Sequence, residues 1–143
     1  MADFNEFYTL KGYSSLKKGD TLTTAMEDYL EMMYRLYRNH ENIRIKRLSE
    51  ILHVKPSSAS KMANILKTSG YVEFEKYGQI SLTTKGKTMG DYLLYRHEIL
   101  QQFFCYINHS DNELTLVEKI EHFINKETVD NIKTWLDQMK ATQ

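Results

Sequence analysis

The sequence predicts a mostly α-helical protein with a small β-wing, in which a winged helix-turn-helix DNA-binding domain precedes a helical dimerisation domain. Apolar residues recur with helical spacing over most of the 143 residues, as they do in amphipathic helices. Residues 71–83 instead alternate with a period of two around a turn, which is typical of a β-hairpin. The charges are also divided unevenly, and this indicates separate tasks for different parts of the chain.

The neutral balance of 19 basic and 19 acidic residues hides a basic middle and an acidic tail. Residues 42–87 contain nine basic and three acidic residues, whereas residues 97–143 contain four basic and eight acidic residues. The positive excess suits a phosphate-binding surface, and the acidic tail suits a cation. Because Cys105 is the single cysteine and no segment resembles a signal peptide or membrane span, we expect a cytoplasmic protein without a membrane partner.

The first helix is expected to begin at Thr24, which can form a capping box with Glu27 three residues later. One side of this helix is apolar, and the other side carries Asp28 and Glu31. Glu31 also stands four residues before Arg35, so these two side chains can form an ion pair that requires no metal. For this helix taken alone, the ion pair is the simpler interpretation.

A helix-turn-helix is expected next. Its first helix begins at Ile45, and its second begins at Pro56, a residue that the first turn of a helix tolerates. The exposed side of the second helix offers short hydrogen-bonding groups and a cation but no acid. Major-groove base edges require such donors and acceptors, whereas carboxylates would repel the flanking phosphates.

The hairpin that follows turns at Lys76-Tyr77-Gly78 and forms a wing, whose tip can lie along the DNA backbone. The alternative is that these are ordinary turn residues. Within the DNA-binding domain, we expect base contacts from Lys61 and Asn64. The residues expected at the DNA are Arg44, Lys46, Ser57, Ser58, Ser60, Lys61, Asn64, Lys67, Lys76 and Tyr77.

A long helix is expected from Thr84, as its cap, to about Ile107. His97 falls within its apolar side and is either a hydrogen-bonded core residue or a ligand. The last helix and the helix before it offer more apolar surface than a small winged domain can cover, so we assign residues 111–140 chiefly to dimerisation. A dimer can span two half-sites about one helical turn apart.

The acidic segment around Thr115 carries the most specific chemistry. In a helix, Glu118, Glu121 and His122 fall at positions i, i+3 and i+4 and share one face. Neighbours at this spacing lie roughly 5 to 6 Å apart at their Cβ atoms, close enough to share a divalent cation. The alternative is that Thr115 and Glu118 form a capping box, while the other two side chains are solvated.

Six stretches together resemble, in order and spacing, the diphtheria toxin repressor family. They are Met26–Tyr34, Pro56–Met62, Glu75–Gly78, Leu82–Gly86, Tyr95–Glu98 and Val117–His122. Within the family, they are most similar to the manganese-responsive transport regulator branch. The resemblance covers residues 23–139, so we expect a protein without the SH3-like domain of longer relatives.

The resemblance implies a metal site at Asp28, Glu31, His97, Glu118, Glu121 and His122. The iron-responsive branch typically has methionine at the position of Asp28 and adds a cysteine ligand. Four carboxylates with two imidazoles form an oxygen-rich set suited to Mn(II), with Fe(II) as a possible alternative. The carboxylates are numerous enough to hold one or two cations per subunit.

The resemblance implies a DNA-binding domain at residues 23–86 and a linker helix with a metal-binding dimerisation domain at 87–143, and we expect an N-terminal arm at residues 1–22 that departs from the family's pattern. We expect a manganese-dependent repressor of manganese uptake genes that binds palindromic double-stranded DNA as a homodimer. The alternatives are an iron-responsive repressor and a winged-helix regulator of a small organic ligand. A metal-dependent hydrolase is disfavoured, since the basic helix-turn-helix would have no task.

Overall fold

The computed structural model describes residues 22–142, in which six α-helices and a two-stranded sheet follow the predicted order. The helices are α1 (Thr24–Arg38), α2 (Ile45–Leu52), α3 (Pro56–Thr68), α4 (Thr84–Asn108), α5 (Leu114–Ile120) and α6 (Lys126–Ala141). The strands are β1 (Val72–Phe74) and β2 (Ile80–Leu82), and 3-10 turns cover Lys76–Gly78 and Glu121–Phe123. The arm predicted at residues 1–22 lies outside the described residues, except for Leu22. None of the helices described has the length and apolar character needed to cross a membrane.

The cap residues of two helices differ from their prediction by one position. Thr23, rather than Thr24, caps α1, and its hydroxyl accepts a hydrogen bond from the amide of Met26 at 3.1 Å. Thr83 caps α4 in the same way. A cap residue requires an extended backbone, which only the first threonine of each pair retains. The predicted capping box of Thr24 and Glu27 is therefore wrong, and Glu27 is free to contact other groups.

The helix α1 packs closely against α4 in the larger of the two cores. Leu30 and Met33 of α1 and Leu93 of α4 are fully buried there. The contact depends on Gly90, because a Cβ atom at this position would lie 2.6 Å from the Cβ of Tyr34. This close approach brings the acidic side of α1 next to the middle of α4.

The wing has the predicted antiparallel pairing. Val72 pairs with Leu82 and Phe74 with Ile80, and the amide of Ile80 also donates to the carbonyl of Ile43 at 2.8 Å. Three short segments are thus joined beside the helix-turn-helix. The predicted fold class, a winged helix-turn-helix followed by further helices, is confirmed.

The smaller core joins α4 to α6. Ile99, Val129 and Leu136 are buried in it, and the rings of Phe103 and Trp135 meet edge to face at 5.6 Å. Ile107, at the predicted end of α4, is 44% exposed.

The acidic segment departs most from its predicted form. The helix α5 ends at Ile120, and the chain tightens into the turn Glu121–Phe123. Thr115 lies inside α5, which Glu113 precedes as its cap residue, so the alternative of a capping box between Thr115 and Glu118 is wrong. Because the helix does not continue, Glu118, Glu121 and His122 do not share the predicted face. Phe123, at the end of the turn, is 56% exposed.

Candidate metal centre

The change from helix to 3-10 turn at Ile120 separates the three candidate ligands of the acidic segment. In a continuous helix they would share one face. In the structure, Glu121 is only 3% exposed and points towards α1 and α4, whereas Glu118 is exposed. His122 is half-buried and also faces α1.

One group of donors forms around His97. Its Nδ1 lies 2.9 Å from Oε2 of Glu121 and 3.9 Å from Oε2 of Glu31. One donor atom from each of these three residues lies within 4.8 Å of the others. We call His97, Glu31 and Glu121 the inner triad, since His97 and Glu121 are both buried.

A second group lies closer to solvent. Nε2 of His122 is 3.0 Å from Oδ1 of Asp28, and Glu121 again completes a set with donor atoms within 4.8 Å of one another. We call Asp28, Glu121 and His122 the outer triad. Glu121 is therefore common to both triads, which gives the pair of sites one shared carboxylate.

Glu118 belongs to neither triad but lines the adjoining cavity of about 300 Å³. The carboxylates of Asp28, Glu31 and Glu121 line the same cavity, together with Met32, Ile51, Leu52 and His53. The structure thus brings five of the six predicted ligands into two triads. It leaves Glu118 at the edge of the shared space.

The raised pKa values of His122, His97 and Glu31 indicate a cluster with an excess of negative charge. Hydrogen bonds with Asp28 and then Glu27 raise the pKa of His122 to about 9, and the hydrogen bond with Glu121 raises the pKa of His97. Burial, followed by the nearby Glu121 carboxylate, raises the pKa of Glu31. A group of carboxylates that retains protons on its own imidazoles is electrostatically suited to a cation.

The chemistry of the donors also fits Mn(II). All candidate ligands offer oxygen or imidazole nitrogen, and this combination suits Mn(II) and Fe(II) better than a softer metal. The predicted ion pair between Glu31 and Arg35 is present as well, with Nη2 of Arg35 2.8 Å from Oε2 of Glu31. The same carboxylate is therefore shared between an ion pair and the inner triad.

Sequence reasoning missed two residues beside the outer triad. Glu27, which was interpreted as a cap, accepts hydrogen bonds from Nδ1 of His122 at 3.0 Å and from Nη1 of Arg96 at 3.2 Å. Arg96 was given no role, yet it is 3% exposed. A signal existed in the sequence, because each directly precedes a candidate ligand, Asp28 or His97.

The predicted DNA-contacting residues lie on an exposed face of α3 and on the wing. Those of α3 that are exposed are Ser57, Ser58, Ser60, Lys61, Asn64 and Lys67. At the tip of the wing Tyr77 is 91% exposed and Lys76 is also exposed, as are Arg44 and Lys46 of the helix-turn-helix. The guanidinium of Arg44 donates to the carbonyl of Tyr77, which joins the wing tip to the helix-turn-helix.

Comparison with known proteins identifies two matching domains. Residues 21–80 match the family described as iron dependent repressor, N-terminal DNA binding domain. Residues 83–142 match the iron dependent repressor, metal binding and dimerisation domain. The chain is also 37% identical over 119 residues to the HTH-type transcriptional regulator MntR of Oceanobacillus iheyensis, an alignment that covers 82% of this chain and 81% of that protein.

Solved structures support the same fold. The manganese regulator SloR superposes with a TM-score of 0.71 at 24% identity, over 81% of this chain and 55% of that one. The metal-dependent transcriptional regulator MtsR gives 0.72 at 23% identity, over 81% and 55%. ScaR with bound Zn²⁺ gives 0.67 at 23% identity, over 78% and 53%. This chain therefore spans just over half the length of these solved chains.

Proposed function

We propose, for a chain that belongs to the iron dependent repressor family, that it is a manganese-responsive transcriptional regulator which binds DNA as a homodimer. The family comprises DNA-binding regulators rather than enzymes, and it is the family that the six sequence motifs resemble. One observation carries the proposal: Glu121 is common to two donor triads assembled from α1, α4 and the turn after α5.

The residues that would hold metal are Asp28, Glu31, His97, Glu118, Glu121 and His122. Mn(II) is our first choice, in one or two copies per subunit, and Fe(II) is the alternative. When bound, the cation would supply the positive charge that the carboxylates lack. Zn(II) is expected to bind tightly too, so selectivity for Mn(II) must come from how each metal fits the donor set.

In the metal-free protein, protons on the histidines supply part of this positive charge. Protonated His122 holds Asp28 and Glu27, and His97 holds Glu121. These contacts connect α1, which packs in the core of the DNA-binding half, with α4 and the turn of the C-terminal half. We infer that a filled site stiffens this connection, so that two reading heads of a dimer keep the separation an operator demands and less conformational freedom is lost on binding.

On the DNA side, Lys61 and Asn64 are our candidates for base contacts, and Arg44, Lys46, Lys67, Lys76 and Tyr77 for backbone contacts. Ser57, Ser58 and Ser60 complete this surface of α3. We divide the chain into the arm 1–22, the DNA-binding domain 23–86 and the metal-binding dimerisation domain 87–143. The proposed target is a palindromic operator of manganese uptake genes, and the proposed location is the cytoplasm, where the chain meets DNA.

The test is a paired titration of the metal-free protein. Its melting temperature is recorded with Mn(II), Fe(II) and Zn(II), and binding to selected DNA is then measured with and without the best stabiliser. Metal and DNA must strengthen each other's binding by the same factor, and the corresponding coupling free energy is typically about 1 to 3 kcal/mol. Operator affinity that does not change with any of these metals contradicts the proposal. A stronger response to Fe(II) than to Mn(II) favours the iron-responsive alternative.

A further inference from the structure

Glu27 connects the outer triad to a buried arginine. Its two carboxylate oxygens are both engaged, one by Nδ1 of His122 at 3.0 Å and the other by Nη1 of Arg96 at 3.2 Å. We infer that Glu27 is a positioning residue, which fixes the ring of His122 so that Nε2 faces the cation, and that Arg96 holds Glu27 in this role. The inference rests on the proposed function and adds two residues to it.

The imidazole of His122 has an orientation that suits a metal ligand. The ring of His122 lies between neighbouring acids of α1, with Nδ1 at Glu27 and Nε2 3.0 Å from Asp28 of the outer triad. A carboxylate that accepts the proton of one ring nitrogen leaves the other nitrogen as the metal donor and increases its basicity. Glu27 thus selects the donor atom although it belongs to neither donor triad, and both of its oxygens are engaged by hydrogen bonds.

Arg96 lies in an environment that explains its contact with Glu27. Its side chain is 4% exposed, and its Nε and Nη2 have no hydrogen-bond partner among residues 22–142. Burying a guanidinium with unpaired donors is unfavourable unless a charged partner compensates. The partner here is Glu27, so Arg96 cancels a negative charge that would otherwise add to the acids of the metal centre.

The role of Glu27 can be tested by replacing its carboxylate with the amide of glutamine, because Arg96 fixes the orientation of that amide. Arginine only donates hydrogen bonds, whereas a glutamine amide has one accepting oxygen and one donating nitrogen. In Glu27→Gln, the amide oxygen faces Arg96 and the amide nitrogen faces Nδ1 of His122. The ring must then carry its proton on Nε2, the atom required by the metal. A catalytic histidine that is held in the wrong tautomer loses its function for the same reason.

The experiment compares Mn(II) affinity in the full chain by calorimetry for the wild type, Glu27→Gln, Glu27→Ala and the double variant Glu27→Gln/Arg96→Met. We expect Glu27→Gln to weaken Mn(II) binding by about 10- to 100-fold, as loss of an outer-shell partner does. The double variant should recover most of this loss, since the amide can turn its oxygen to His122 once Arg96 is gone. Glu41→Gln is the matched control, because Glu41 also pairs with an arginine, Arg47, at 3.5 Å but on the exposed surface.

Two further readouts separate positioning from a structural role. Ring nitrogen chemical shifts of His122 in the Zn(II)-loaded protein should report metal on Nε2 in the wild type and a changed pattern in Glu27→Gln. DNA affinity at saturating Mn(II) should stay close to that of the wild type. If Glu27 only ties α1 to α4, the melting temperature of the metal-free variants falls while Mn(II) affinity does not change, and the inference is overturned.

Failure of the inference and failure of the proposed function give different results. A wild type that binds Mn(II) no more tightly than Glu27→Ala overturns the positioning role alone. A wild type that takes up no Mn(II) overturns the proposed function and the positioning role together. If Glu27→Gln does not fold, the double variant Glu27→Ala/Arg96→Met still tests the role, because it removes the acceptor for Nδ1 of His122 without leaving a buried guanidinium unpaired, and it must weaken Mn(II) binding.

Discussion

His97 and Glu121 lie 24 positions apart in the sequence and on different elements, yet Nδ1 of His97 is 2.9 Å from Oε2 of Glu121. The contact is buried, and Glu121 extends from it into the outer triad with Asp28 and His122. One carboxylate therefore connects the long helix α4 to the acidic side of α1.

Because Glu121 is common to both triads, Glu121→Gln should affect two metal positions at once. We expect Mn(II) affinity to fall by about 100-fold or more, beyond the range of a lost outer-shell partner. Asp28→Asn should weaken only the outer triad. Calorimetric titration of the metal-free variants measures both, with Glu98→Gln as control, since Glu98 follows His97 on α4 but is exposed. Equal effects of Glu121→Gln and Glu98→Gln would contradict the shared role.

Asp28→Met should shift the metal response towards iron. The substitution replaces a hard oxygen donor of the outer triad by a softer thioether, which disfavours Mn(II) more than Fe(II). DNA binding is measured anaerobically with each metal, and the ratio of the two responses is compared with that of the wild type. An unchanged ratio would show that Asp28 does not select the metal.

The stability of the metal-free protein should fall as the pH rises from about 6.5 to about 9, because the pKa of His122 is raised from 6.5 to about 9 by Asp28 and Glu27. A raised pKa in the folded state contributes stability that is complete below the unfolded value and is lost through the folded value. Allowing for the screening of half-exposed Asp28, the loss is roughly 1 to 2 kcal/mol.

Urea unfolding across this pH range measures the effect, and His122→Gln should reduce it to the part that His97 contributes through its own raised pKa. His109→Gln is the control, since His109 is exposed at the end of α4. Mn(II) affinity should change in the opposite direction and increase with pH, because the ligand must lose its proton. A metal-free stability that is equally pH-dependent in His122→Gln would rule out this assignment.

Lys61→Ala and Lys76→Ala should weaken DNA binding in different ways. Loss of a base contact at Lys61 should cost about 1 to 3 kcal/mol and relax discrimination at one position. Loss of a phosphate contact at Lys76 should weaken all sequences similarly and reduce the salt slope by about one. Binding to specific and scrambled DNA at several salt concentrations separates the two outcomes. If Lys76→Ala weakens binding to specific DNA but not to scrambled DNA, Lys76 does not act as a phosphate contact.

Gly90→Ala should destabilise the protein by about 1 to 3 kcal/mol, the usual cost of overpacking a core. The added methyl group would meet Tyr34 at 2.6 Å and push α1 away from α4. Because that contact also brings the acids of α1 towards His97, Mn(II) affinity should fall together with stability. Urea unfolding and metal titration of the same sample measure both quantities. A loss of stability without a loss of Mn(II) affinity would show that the contact of α1 with α4 at Gly90 does not position the metal ligands.

Local patterns in the sequence were sufficient for most of the fold. Helical periodicity, Pro56 at a first turn and the alternation on either side of Lys76-Tyr77-Gly78 predict elements that the structure contains within a few residues. These signals involve neighbours along the chain, so a single sequence contains them in full. The errors at Thr24 and Thr84 are equally local, because adjacent threonines compete for one cap.

The sequence by itself determined which residue types were available: acids on α1, a histidine inside α4, one acid in α5, and an acid with a histidine directly after α5. The tertiary structure alone decided that Glu121 turns inward while Glu118 stays at the edge, and that Glu27 meets Arg96, 69 positions away. Such contacts depend on where α5 ends and on how closely α1 approaches α4. Periodicity within one helix contains no information about the packing between helices, so the two triads became visible only in the folded chain.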